Sequence, residues 1–275
     1  MRGSPFFEGV EQSEAQLGDR TIKFPVFYYD GESMTGVFPA RLSKLRKLLP
    51  DPRFVPARIA PGLGVVTVTC FEYRDTDIDA YNELAIGIPL SYPHYRNNAP
   101  GLAMLDANRR GQFDAWVHHL PVTTQLACDG GVDFYNYPKF VASIDFTQDE
   151  SSRTCVLAEG AEHILTMKCE RLKATEPADV QLFSHLWQDR QPQSSEFKIH
   201  AERAGQSIKP GTATIEIADR HPIARELRSV LVSNRSIAAS YMPRIEGILY
   251  GPEHHTVPVM RRVLASDQAH PAGVA

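Results

Sequence analysis

The chain has 275 residues, 43% of them apolar and 23% charged, with a formal net charge of −4. That length buries a sizeable core, and the mild acidity argues against nucleic acid or an anionic membrane surface as partner. No run of 18 apolar residues occurs, so no membrane-spanning helix is expected.

The first twenty residues are polar and patternless and are expected to fray, as is the tail 266–275. Arg2 is followed by no apolar run of the length a secretory signal needs. Between these ends, residues 21–265 read as one domain without linker, repeat or charge block. The four cysteines, Cys70, Cys128, Cys155 and Cys169, form no C-x-x-C and are expected as buried thiols in a reducing cytoplasm.

In chain order, "TIKFPVFYY" (21–29) reads as a strand, rich in β-branched and aromatic residues. "RLSKLRKLLP" (41–50) carries helical period, with Leu42, Leu45, Leu48 and Leu49 on one face and Pro50 as the stop. Strands follow at "GVVTVTCFEY" (64–73), "ELAIGIPLSY" (83–92) and "KFVASIDF" (139–146). "LTMKCE", "EFKIH" and "ATIEI" alternate as strands with one wet face. In "DRHPIARELRSVLVS" (219–233), Pro222 suits a first helical turn, and Ile223, Leu227, Val230 and Leu231 form the apolar stripe. Many strands with two short helices and no repeated βαβ unit predict an α+β, mainly β fold around an antiparallel sheet or barrel.

Several motifs are absent or incomplete. "PGLGVV" lacks the third glycine and the following helix of a dinucleotide loop, and no G-x-S-x-G elbow occurs. "DTDID" (75–79) copies the first spacing of a calcium loop, but Ala80 and Ile86 stand where Gly and Glu are needed, so a solvated acidic turn is expected. His118–His119 and His254–His255 are adjacent pairs, which on a strand point to opposite faces and offer one ligand per face. No metal site is expected.

"DFYNYPKF" (133–140) sets Lys139 among Phe134, Tyr135, Tyr137 and Phe140. Two readings fit this window. The stem lies on apolar surface with its ammonium in water, or the amine is desolvated and serves as a nucleophile toward carbonyls. Glu83, ahead of Leu84, Ala85, Ile86 and Ile88, either marks a solvated strand end or points into a cavity as a proton-transfer group.

Taken together, these stretches resemble the acetoacetate decarboxylase family. Its decarboxylases carry Gly-x-acid, three residues, then aromatic-Pro-Lys; here stand Gly131, Val132, Asp133, then Phe134, Tyr135, Asn136, then Tyr137, Pro138 and Lys139. They also carry aromatic-x-Glu before an apolar strand ending in Ile-Pro, matched by Tyr81, Asn82, Glu83 and "AIGIP". The resemblance spans roughly residues 24–265 in outline and is specific around 72–90 and 131–146. It implies a cone-shaped β-barrel with a hydrophobic cavity, often in a homo-oligomer, with Lys139 as Schiff-base lysine and Glu83 as active-site carboxylate. No cofactor is implied.

The sequence departs from that pattern at three cationic positions. Phe140 replaces a second lysine, Val132 the arginine of a Gly-Arg-acid triplet, and Pro39 an arginine before the early helix. Tyr81, Tyr137, Phe140 and Arg74 are the candidates for substrate contact, with Arg74, Arg109 or Arg110 as sources of replacement charge. The expected activity is decarboxylation of a β-keto acid through an imine. Aldol or dehydration chemistry on a 2-oxo acid or aldehyde is the alternative, and non-catalytic binding of an apolar small molecule the third reading.

Overall fold

The structure, a computed structural model, describes residues 2–91, 100–188 and 191–251. A 3-10 turn at Pro5–Phe7 leads into a hairpin of β1 (Ser13–Leu17) and β2 (Arg20–Phe24), so the segment that reads as patternless carries paired strands. Then come β3 (Val26–Arg41), α1 (Leu42–Leu48), β4 (Val55–Pro56), β5 (Arg58–Ala60), β6 (Leu63–Thr76) and β7 (Tyr81–Ser91). The middle holds α2 (Leu102–Arg110), β8 (Gln112–His119), α3 (Gln125–Tyr135), β9 (Ser143–Gln148), β10 (Ser152–Glu159) and β11 (Glu162–Glu170). The last elements are β12 (Glu176–Gln188), β13 (Gln191–Ser207), β14 (Ala213–Ile217), α4 (Pro222–Val230) and β15 (Ala238–Leu249).

Seven strands close into a barrel in the order β7-β8-β12-β13-β15-β3-β6, with β6 pairing back to β7. Neighbours run antiparallel except β8 and β12, which are parallel. A second, antiparallel sheet, β14-β11-β10-β9, packs on one side. The barrel strands facing it are buried on both faces. On β6, Phe71 and Tyr73 point inward with Tyr28 of β3 and Phe197 of β13. Val66, Val68 and Cys70 point outward onto Leu157, Leu165 and Met167 of the second sheet. This double burial explains why β6 reads as a nearly unbroken apolar run, whereas β14, wet on one face, alternates strictly.

Both predicted helices form. Leu42 and Leu45 anchor α1, while Ile223, Leu227 and Val230 anchor α4 behind Pro222. α2 and α3 were not read from the sequence. Two predicted strands also differ: "TIKFPVFYY" breaks at Pro25 into β2 and β3, which lie in different sheets, and β9 starts only at Ser143. The four cysteines are buried and free. The tail 266–275 and the pair His254–His255 lie outside the described residues.

Candidate active site

Lys139 is set by the end of helix α3. Thr124 caps the start, its side chain accepting from the Ala127 N–H. Asn136 closes the end in the left-handed region, φ 54°, its N–H reaching the carbonyls of Gly131 and Val132. The Tyr137 N–H then bonds the Gly131 carbonyl at 2.9 Å, folding Tyr137-Pro138-Lys139 back along the helix. The lysine stem crosses the helix at Gly131. A Cβ at that position would lie 2.5 Å from Lys139 Cε. Glycine at 131 leaves room for the lysine stem to pass over the helix in this position.

Glu83 is set by strand alternation. Tyr81 and Glu83 share the inner face of β7, while Leu84, Ile86 and Ile88 pack outward in the core against the second sheet. Residues 120–123 stitch this strand to the lysine segment. Leu84 N–H bonds the Pro121 carbonyl and Thr123 N–H the Asn82 carbonyl on one side. Val122 N–H bonds the Phe140 carbonyl and Ala142 N–H the Val122 carbonyl on the other. Asn82 also reaches the Ile144 carbonyl with its side-chain amide, at 2.8 Å.

The result is a buried ion pair. Lys139 Nζ lies 2.8 Å from Glu83 Oε2, with side chains 4% and 10% exposed. The ammonium stands 5.5 Å from the centre of the Tyr81 ring and 5.9 Å from that of Tyr137, within cation–π range. Tyr137 OH is held at 2.8 Å from Ser195 Oγ, and Tyr28 and Tyr81 hydroxyls pair at 3.1 Å. Burial, and then the charge of Glu83, pushes the Tyr28, Tyr73 and Tyr81 phenols well above the ordinary tyrosine value. Burial lifts Tyr137 to about 12. Lys139, Tyr28, Tyr135 and Tyr137 face a narrow pocket otherwise walled by Gly, Ala and larger apolar residues. Its enclosed volume is about 20 Å³, room for about one water, so the walls must part before anything larger enters. Ile22 and Phe24 of the β1–β2 hairpin close one side, with Phe24 packed 4.6 Å from Phe134, ring to ring. The strand reading of 21–29 found these residues, but nothing local announces their covering role.

Not every sequence candidate joins the site. Phe140 points away from the lysine, as alternate residues of an extended segment do, and packs into the core between barrel and second sheet. Arg74 lies on the outer face of β6, bound to Asp30 at 2.7 Å and to Glu32 at 3.3 Å. Arg110 pairs with Asp106 along α2. Among the described residues, the pocket lining has no basic group besides Lys139. The acidic turn 75–79 disperses its carboxylates: Asp75 binds Arg2, Asp77 binds Gln12 and the Tyr29 hydroxyl, and Asp79 binds Arg20. The opposite-face expectation for His118 and His119 is corrected. β8 ends at His119, and both rings reach Glu226.

No functionally curated protein matches the chain by sequence. Among solved structures, acetoacetate decarboxylase from Legionella pneumophila superposes with a TM-score of 0.58 at 15% identity, over 83% of this chain and 86% of that one. The enduracididine biosynthesis enzyme MppR complexed with pyruvate gives 0.56 at 11% identity, over 90% and 94%. An acetoacetate decarboxylase-like enzyme from Sphingomonas wittichii gives 0.52 at 14%, over 90% and 96%. At these identities the superpositions speak for the fold. The family profile of acetoacetate decarboxylase (ADC) matches residues 15–251, from the covering hairpin through the last barrel strand, and the chain belongs to that family.

Proposed function

We propose that the protein is an imine-forming carbon–carbon lyase in which Lys139 attacks a substrate carbonyl and Glu83 carries protons. The observation that bears this reading is the buried 2.8 Å contact between the two side chains, with Lys139 facing an aromatic-lined pocket. A proton passing from Nζ to the carboxylate leaves a neutral amine with a free lone pair beside a carboxylic acid. The amine adds to the carbonyl carbon, water leaves, and the protonated imine draws electrons from the neighbouring bond. With a β-keto acid, the bond to the carboxylate breaks, carbon dioxide departs, and the electron pair rests on the enamine. Glu83, which gave its first proton to the departing water, takes another from solvent and delivers it to carbon, and water hydrolyses the imine.

A second reading has its own support. The pocket lining offers no cation besides Lys139 to hold a substrate carboxylate, and Val132 and Phe140 are uncharged. An aldehyde carries no carboxylate and needs no such cation, which favours aldol or dehydration chemistry on an aldehyde. A 2-oxo acid, such as the pyruvate complexed with MppR, would need its carboxylate held by neutral donors instead.

Borohydride reduction with a panel of β-keto acids, 2-oxo acids and aldehydes tests both. An adduct is expected on Lys139, located by peptide mass. Lys139→Ala and Lys139→Arg should lose trapping and turnover alike, since a guanidinium stays charged. Glu83→Gln should keep trapping while turnover falls by roughly 10²–10⁴-fold, the usual contribution of a positioned acid–base group. Which substrate class both traps and turns over decides between the two reactions. A pocket that holds ligands with no adduct from any class would sink both and leave a binding protein.

A further inference from the structure

Outside the pocket, three side chains from two elements distant in sequence meet at one point. His118 Nε2 lies 2.7 Å, and His119 Nε2 3.0 Å, from the same oxygen, Oε1 of Glu226. The histidines end β8 and the glutamate projects from α4. The two imidazole rings sit 4.3 Å apart, and the three donor atoms lie within 4.8 Å of one another. None of these residues lines the pocket that Lys139 faces.

One histidine would satisfy the carboxylate oxygen; two gather a second imidazole lone pair where a helix meets a strand end. We infer that His118, His119 and Glu226 form a binding site for a divalent transition-metal ion of the zinc type. Two imidazoles and a carboxylate are a donor set zinc accepts, and the partly exposed rings leave the fourth position to water. Zinc bonds of about 2.0–2.2 Å at tetrahedral angles set donor atoms roughly 3.3–3.6 Å apart. The His118 ring therefore needs to retreat from Oε1 by about 0.6–0.9 Å and the His119 ring by about 0.3–0.6 Å. The ion replaces the N–H protons that now join the rings to the carboxylate, and it straps α4 to the barrel.

The test is zinc alone, titrated calorimetrically into the full chain after chelator treatment, with bound metal counted after gel filtration. One ion per chain and a higher Tm with zinc are expected. His118→Ala, His119→Ala and Glu226→Gln should each weaken binding by at least about tenfold, the scale on which even an outer partner of a metal site acts. If an alanine variant fails to fold by circular dichroism, the visible absorption of cobalt in the unaltered protein replaces it. An intense tetrahedral band that Glu226→Gln removes supports the site. Absence of saturable binding, a band indifferent to Glu226→Gln, or affinity unchanged across the folded variants would overturn it.

Discussion

At position 131 a single methyl group would stand where the stem of Lys139 crosses helix α3. Alanine is the better helix former there, by about 1 kcal/mol. Gly131→Ala should therefore leave a folded, helix-competent chain whose amine is displaced. Displacements of this order at a reacting group cost about 100-fold in rate. We expect borohydride trapping to slow on that scale with the far-ultraviolet spectrum unchanged; normal trapping would show that the stem has room to yield. The phenols around the amine give a second prediction at this scale. Tyr137 keeps its proton to about 12 in the fold, against about 10 in an unfolded chain. The stability from this group is complete below pH 10 and is lost as pH rises toward 12, because the unfolded chain releases the proton first. Urea midpoints taken across that range should fall for the wild type and fall less for Tyr137→Phe. Lys139 and Glu83 drew notice in the sequence through the aromatic cluster 134–140 and the apolar run after 83, but those windows left two readings open and it was the family resemblance that singled out the pair. Phe140 and Arg74 were misplaced because proximity in sequence does not say which face of an extended segment a side chain takes.

At the scale of elements, the β1–β2 hairpin pairs with no barrel strand, and it closes the pocket by side chains alone. Leu17 lies against Gly130, Phe24 against Phe134 and Tyr135, and Arg20 binds Asp79 at 2.8 Å beside the turn. With the amine 4% exposed, substrate reaches it only when something on this side moves. Phe24→Ala should open the pocket to water, so that an imine on Lys139 hydrolyses faster and the trapped yield at fixed time drops. An equal yield would show that the hairpin does not keep water out. Elements with strong period, α4 and β14, could be read directly. Helix α3 could not, since Gly130 and Gly131 lower its propensity by about 1 kcal/mol each and its buried face is made of these glycines, Ala127, Cys128 and Tyr135 rather than a stripe of branched aliphatic residues.

The whole molecule is tied across its two sheets by a charge network. Glu32 of β3 and Glu72 of β6 stand opposite each other in register, a repulsive pairing on its own. Arg153 of β10 reaches both, at 3.1 and 2.6 Å, and the Tyr241 hydroxyl donates to Glu32 at 2.7 Å. Removing Arg153 leaves the buried Glu32 beside Glu72 with Arg74, at 3.3 and 3.6 Å, as their remaining ion-pair partner among the described residues. Arg153→Met should cost about 3 kcal/mol, toward the lower end for a broken buried pair because Glu72 is part-exposed. Adding Glu32→Gln should recover part of that loss; urea midpoints of the single and double variants measure both. Such long-range pairings leave no local trace in the sequence, which is why the α+β class and the wet faces could be read while the strand order could not.

The barrel closes on β15, which lies between β13 and β3, joining residues as far apart as Val37 and Ala238. During synthesis Glu83 and Lys139 leave the ribosome long before the strand that completes their enclosure. Until it docks, β3 and β13 present two open edges, the feature that makes an incomplete sheet prone to pair with other chains. Contacts of such separation also slow folding, because loop-closure entropy is lost before they form. The ring that walls the amine is thus among the last things this chain can finish.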